Sequence, residues 1–292
     1  RCYEGCYPVV SNCIFAGNKA TIQNGGAICA LESGPILANC TFTGNSANRN
    51  GGAIHCYRAS HPKVANSILW GNSAPEGSQI SLAYYEHPGQ DPCATEITLS
   101  YCDIQDGLEG IFLEEMCYAN WGPGNIDVDP CFVSPGYWST NATPGDMNDE
   151  YWVDGDYHLK SFGWRWDTVY EEWTFDRVTS RCIDAGNPGS PLLDEPLTVP
   201  SDPDNDYGQN LRINMGAYGG TAQASMPPYD WALLADINND GIVDFYDFAY
   251  AGTDWLSTAP RQPCDLDRNE TVGPSDLDLF ADDLLKTTLL WE

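Results

Sequence analysis

The sequence predicts a mainly β fold, a right-handed parallel β-helix solenoid followed by a small α-helical module with paired ion-binding loops. Three observations predict it. The phrase "FAGNKATIQNGGAI", Phe15 to Ile28, returns as "FTGNSANRNGGAI", Phe42 to Ile54. The apolar runs inside these units are too short for helices and are rich in Ile, Leu, Val and Phe between Gly, Asn, Pro and Ser, which suits short strands joined by turns. Near the other end, two Asp-rich loops follow "MPPYDW".

The coils are expected over residues 1–125. "NCIF" at Asn12, "NCTF" at Asn39 and "NSIL" at Asn66 recur every 27 residues. Phe15, Phe42 and Leu69 then correspond, as do Asn18, Asn45 and Asn72, while the "GGAI" at Gly25 and Gly51 falls to "SQI" near Ser78. After an insertion, "ITLSYCDI" at Ile97 places Cys102 where Cys13, Cys40 and Ser67 stood. Self-similarity of this length marks a solenoid, whose units bury their apolar faces only by stacking. Coils stacked at about 4.8 Å put equivalent residues over one another. Aromatic and aliphatic rows then fill the core, Asn18, Asn45 and Asn72 form an amide ladder at a bend, and the paired glycines turn a corner at positive φ. Cys13 over Cys40, and Cys29 near Cys56, are spaced either for disulfides between coils or for a row of buried thiols. "RCYEGCYPVV" offers Cys2 and Cys6 as a staple but no amphipathic cap helix, which leaves a strand edge able to recruit another chain.

Residues 126–228 carry "NIDVDPCFV" (Asn125 to Val133), "DYHLKS" (Asp156 to Ser161), "SRCIDAGNPGSP" (Ser180 to Pro191) and "LRINMGAYGG" (Leu211 to Gly220). These motifs resemble the closing coils of large secreted β-helix proteins of planctomycete type, and the "FxxNxA...GGAI" units are similar to polymorphic outer-membrane protein repeats. The resemblance implies further coils here and says little about activity. An aromatic insertion, "WRWDTVYEEW" from Trp164 to Trp173 with Trp138 and Trp152 upstream, suits packing, a subunit contact or stacking on sugars. Asp202, Asp204 and Asp206 in "SDPDNDYG" are spaced to hold a further calcium ion or to form an acidic turn.

The last unit is expected over residues 229–292. "DINNDGIVDFYD" sets Asp236, Asn238, Asp240, Asp244 and Asp247 at loop positions 1, 3, 5, 9 and 12, with the Ile242 carbonyl at 7 and Gly241 at the sharp turn. That is the hard-oxygen donor scheme of an EF-hand-type calcium loop, with Asp in place of Glu at 12. "DLDRNETVGPSD" repeats it with Asp265, Asp267, Asn269, the Thr271 carbonyl and Asp276, but with Glu270 at the turn and Gly273 at position 9, so it should bind more weakly. Each loop leads into an apolar stripe: Phe245, Phe248, Ala249, Gly252 and Trp255, then Leu277, Phe280, Ala281, Leu284 and Leu285. The duplicated loop and helix resembles the dockerin module, which implies calcium-dependent docking on a cohesin-like receptor.

Composition bounds the function. Forty-two acidic against thirteen basic residues give a formal charge of -29, which argues against nucleic acid or an anionic membrane as partner. No apolar run approaches the roughly 18 residues of a membrane span, so no insertion is expected. Twelve cysteines without a zinc-type pairing fit an oxidising setting, outside the cell or on its surface. The chain starts at Arg1, as expected if a leader were removed or the sequence were a fragment.

A uronate lyase needs a positioned base and cations, yet the coils offer only Lys19, Lys63, Arg49 and Arg58, two of them in turns. A hydrolase needs paired carboxylates; Asp103, Asp106, Glu114 and Glu115 are spaced as if in loops or solvent. His55, His61, His87 and His158 show no ligand spacing. The reading is therefore a non-catalytic structural or adhesive protein without catalytic residues, assembling head to tail with itself or docking a receptor, with glycans as further partners. A polysaccharide lyase, a glycoside hydrolase or a passive glycan-binding adhesin is the alternative.

Overall fold

The computed structural model describes residues 2–3, 5–84, 94–140, 150–199 and 208–288. The repeats wind into a parallel solenoid of about four turns with three sheets. Cys2–Tyr3, Ile28–Leu31, Ile54–Tyr57, Ile80–Ala83 and Ile111–Leu113 form the first sheet. Val9–Ser11, Ile36–Ala38, Lys63–Ala65, Glu96–Ser100 and Tyr118–Trp121 form the second, and Ile14–Ala16, Thr41–Thr43, Ile68–Trp70 and Asp103–Ile104 the third. Register follows the repeat: Phe15 pairs with Phe42 and Phe42 with Leu69, while Leu69 pairs with Ile104 across the insertion. Ile28, Ile54, Ile80 and Ile111 make the corresponding row in the first sheet.

Stacking supplies the core. The Phe15 and Phe42 rings lie parallel with centroids 4.7 Å apart, at the inter-strand spacing, so each ring rests on the next coil. At the Gly-Gly corner the two residues do different work. Gly25 and Gly51 take φ of +72° and +71°, which a side chain resists, whereas a Cβ on Gly26 would lie 2.1 Å from the Gly52 carbonyl oxygen of the next coil. The expected amide ladder forms: Asn18 Nδ2 donates to Asn45 Oδ1 at 2.8 Å and Asn45 Nδ2 to Asn72 Oδ1 at 2.8 Å.

The cysteine row is a ladder of thiols, not of disulfides. Cys13, Cys40 and Cys102 are free and each donates to the carbonyl two residues before it, Ser11, Ala38 and Ser100, as the Ser67 hydroxyl does to Ala65. Each donor closes the tight corner made by Asn12, Asn39, Asn66 or Tyr101 at φ near +50°, and Ser67 makes the same bond as the thiols. Burial pushes the Cys40 thiol up to about 11 and Cys102 to about 12, so both stay protonated donors. A Cys29 to Cys56 bridge is excluded by the pleat: Cys56 points into the core, while Cys29 lies opposite His55 on the outer face. Cys2 and Cys6 form no staple and are free.

Residues 126–228, expected as closing coils, pair differently. Their described strands make antiparallel hairpins: Phe132–Ser134 with Asp156–Leu159, Tyr137–Ser139 with Tyr151–Val153, and Arg165–Asp167 with Glu172–Thr174. This segment packs along the solenoid's flank rather than on its end. Asn39 Nδ2 donates to the Asn214 carbonyl at 3.0 Å, Asn66 Oδ1 accepts from Asn187 N at 2.9 Å, and Ile68 and Tyr101 join a second core with Phe132, Tyr157 and Met215. Trp152 covers the third-sheet corner at Gly17 and Gly44, where any Cβ would strike its ring, and Trp138 Nε1 donates to the Gly44 carbonyl at 2.8 Å. Asp202, Asp204 and Asp206 lie outside the described residues. The last unit holds two helices, α1 (Phe245–Asp254) and α2 (Pro274–Asp283), around a small core of Ile237, Val243, Ala251, Leu266, Val272 and Phe280.

Candidate functional site

The two Asp loops share one hydrogen-bond scheme. In the first, the Asp236 carboxylate accepts from Asp240 N at 3.2 Å and Gly241 N at 3.0 Å, while Asp247 accepts from Ile237 N, Asn238 N and Asp244 N. In the second, Asp265 accepts from Asn269 N at 3.0 Å and Glu270 N at 2.9 Å, while Asp276 accepts from Asp267 N and Gly273 N. Position 1 thus gathers the amides of positions 5 and 6, and position 12 draws the loop's start onto the first turn of its helix. The segment after each helix crosses to the other loop: Leu285 N donates to the Val243 carbonyl at 2.8 Å and Leu256 N to that of Val272 at 2.9 Å.

Among the described residues, the carboxylates of Asp265, Asp267 and Asp276 converge, with ligand atoms within 4.8 Å of one another. The carboxylates of the first loop do not gather as closely; Asp240 accepts from Asn238 Nδ2 at 2.8 Å and Asp244 caps α1 through Tyr246 N. Ile242 and Thr271 stand at position 7 in each loop, and Asn269 Nδ2 donates to Asp267 at 2.7 Å. Burial raises Asp265 and Asp247, and takes Asp236 to about 6, because little water is left to solvate their charge. A donor set made only of oxygens and crowded with like charge, its position 1 and position 12 carboxylates buried, fits a hard divalent cation.

On α1 the buried stripe differs from the one expected, whereas on α2 the expected Phe280 is buried. Asp247 and Ala251 face inward on α1, and Phe280 packs near Phe248 at 5.7 Å between ring centroids. Phe245 is 76% exposed, Tyr246 74% and Leu285 75%. The position 12 carboxylate occupies the inner face, which turns Phe245 outward; the apolar periodicity alone did not register that.

A second candidate lies on the outer face of the first sheet. A cleft of about 440 Å³ is lined by Asn24, Cys29, Arg49, His55 and Tyr57. His55 Nδ1 lies 2.6 Å from Ser81 Oγ and its Nε2 lies 3.1 Å from Asn24 Nδ2. Burial lowers the imidazole to about 4, so it is neutral near pH 7. Arg49, assigned from sequence to a turn, and His55, assigned no role, meet here. The signal was present, since Cys29, His55 and Ser81 hold one register position in successive coils. Asp103, expected in a loop or in solvent, is fully buried: it accepts from Val128 N at 3.1 Å and from Cys182 Sγ at 3.2 Å, and burial raises it to about 8. Glu114 accepts from Tyr84 N at 3.1 Å.

Parallel coils in register, with amide and thiol ladders at their corners, make the first part of the chain a parallel β-solenoid of repeats. Residues 2–133 match the family model described as right handed beta helix region. Comparison with curated proteins and with solved structures gives no match. No helix among the described residues is long and apolar enough to cross a membrane.

Proposed function

We propose that the chain is a non-catalytic structural or adhesive protein of the cell exterior whose dockerin-like C-terminal unit is set by two calcium ions. The observation that carries the reading is the matched pair of Asp loops: in both, position 1 accepts from the amides of positions 5 and 6 and position 12 from those of positions 3 and 9. Asp236, Asn238, Asp240, Asp244, Asp247 and the Ile242 carbonyl would hold one ion; Asp265, Asp267, Asn269, Asp276 and the Thr271 carbonyl the other. Bound calcium would supply the charge that lets these carboxylates converge. The exposed Phe245, Tyr246 and Leu285 offer a face for a cohesin-like receptor, and Val169 and Tyr170, 80% and 74% exposed at the aromatic hairpin's tip, one for a second copy.

Isothermal titration with calcium is expected to give two sites, the second loop weaker because Glu270 and Gly273 depart from the donor pattern. Sedimentation with calcium at high protein concentration is expected to show concentration-dependent assembly. Absence of calcium binding would remove the module's role, and a strict monomer would remove self-assembly. Glycan binding at the cleft is a second reading, favoured by Arg49 and Tyr57 lining it together; quenching or protection of Tyr and Trp fluorescence by uronans would support it.

A further inference from the structure

The non-ligand fourth position of both Asp loops points into the body of the protein. Asn239, at position 4 of the first loop, is 5% exposed and has φ +59°; its Nδ2 donates to the Gly124 carbonyl of the last coil at 2.9 Å and to the Ala185 carbonyl of the flanking segment at 2.8 Å. Arg268, at position 4 of the second, has φ +56° and donates to the carbonyls of Pro188 at 3.1 Å and Leu211 at 2.5 Å. From the other side, Arg212, 1% exposed, sends Nη1 to the Asp236 carbonyl at 2.7 Å, the backbone of position 1 itself, and Nε and Nη2 to the Gly186 carbonyl at 2.9 and 2.8 Å. Positions 4 and 1 move together when a loop closes on an ion, since the amides of positions 5 and 6 are held by the position 1 carboxylate.

We propose that Asn239, Arg268 and Arg212 are positioning residues that dock the two loops in cis on the last coil and the flanking segment, so that cation binding and the order of residues 183–199 and 208–220 are thermodynamically coupled. The coupling rests on the calcium reading above. It makes the module a clasp for the flanking segment, whose irregular backbone lies on the coils without continuing their sheets. Linkage requires reciprocity: whatever calcium gives to the segment, the docked segment gives to calcium affinity.

The test uses the full chain. In the unaltered protein, chelation of calcium is expected to speed hydrogen exchange at the Gly186, Met215 and Gly216 amides by tenfold or more, with little change at Phe42 or Leu69 in the coils. The double variant Asn239→Gly and Arg268→Gly keeps both positive-φ positions, removes four hydrogen bonds and leaves every proposed ligand in place. It is expected to bind calcium about tenfold more weakly or worse, the effect of roughly one net charged hydrogen bond, and to lose the calcium dependence of exchange. Two bound calcium ions with exchange at the Gly186, Met215 and Gly216 amides unchanged would overturn the coupling and spare the calcium reading. Unchanged affinity in the double variant would do the same. No calcium binding in any form would overturn both.

Discussion

The coils and the segment that flanks them satisfy the same backbone demand by opposite means. In the coils each residue's partner is its own equivalent one turn away, so the centre is apolar and the Asn and thiol ladders hold the corners, with Asp103 a buried carboxyl on the side that meets the flanking segment. The flanking segment has no such equivalent and brings ionisable side chains inside to meet its amides. Asp184 accepts from Leu211 N and Arg212 N, Glu195 from Asn214 N at 2.8 Å and Gly220 N at 2.7 Å, and Arg212 donates to three carbonyls. Repetition provides partners from the backbone itself; without it, every buried amide needs an individual solution.

The contrast is broken most severely where a row is interrupted. Phe42, fully buried on Phe15 and beside Leu69, leaves a hole between two coils when cut back. Phe42→Ala is expected to cost about 3–5 kcal/mol in urea unfolding, whereas Phe245→Ala, exposed on α1, should stay within about 0.5 kcal/mol. Equal losses would mean that stacking does not concentrate stability in the coils.

The flanking segment should reveal itself through pH. Burial lifts Glu195 to about 8, with Asp184 raising it further and Arg268 opposing; its Oε2 has no partner, as suits a protonated acid. The folded protein therefore holds a proton that the unfolded chain releases near its ordinary 4.5. The sign follows: the contribution of Glu195 is fully present below the unfolded value and is lost as pH rises through about 8. Glu195→Gln keeps the acceptor for both amides and removes the proton, so its unfolding midpoint should fall less steeply between pH 5 and 8 than that of the parent, a difference of up to a few kcal/mol at about 1.4 kcal/mol per unit. Parallel pH profiles would place the burden on Asp103 and Asp184, also raised by burial, to about 8 and about 7.

A smaller effect is expected at the amide ladder. Asn45 joins Asn18 to Asn72 and caps the Phe15 carbonyl at 2.7 Å; Asn45→Ala strands these groups and should cost about 1–3 kcal/mol. This ladder was legible because its spacing repeats, as were the Phe and Ile rows and the place of Cys102 after the insertion. The same 27-residue spacing marked Asn12, Asn39 and Asn66, yet nothing local says that their amides reach the flanking segment 120 or more residues on. Closing coils were expected over residues 126–228 because a resemblance stood in for periodicity; no repeat of Phe, Asn and Gly-Gly runs through that stretch. The loops' ligand spacing was plain in sequence, but the inward turn of position 4 was not, because it depends on a surface made by residues 124 to 211.

The mildest prediction probes the sharp turn at position 6, where the two Asp loops differ in backbone chemistry. Gly241 and Glu270 hold equivalent turns at φ +90° and +69°. The first is free of strain; the second forces a Cβ against its own carbonyl, at about 1 kcal/mol. Glu270→Gly should therefore raise the unfolding free energy by roughly that amount, less the added chain entropy of glycine, which costs about 0.5 kcal/mol. If the second loop holds calcium as proposed, the substitution should also tighten that site about twofold to fivefold, because the loop reaches its closed form without strain. Glu270→Ala separates the two causes: it removes the carboxylate but keeps the Cβ, so a gain seen with Gly and absent with Ala assigns the difference to the backbone, and an equal gain assigns it to the charge.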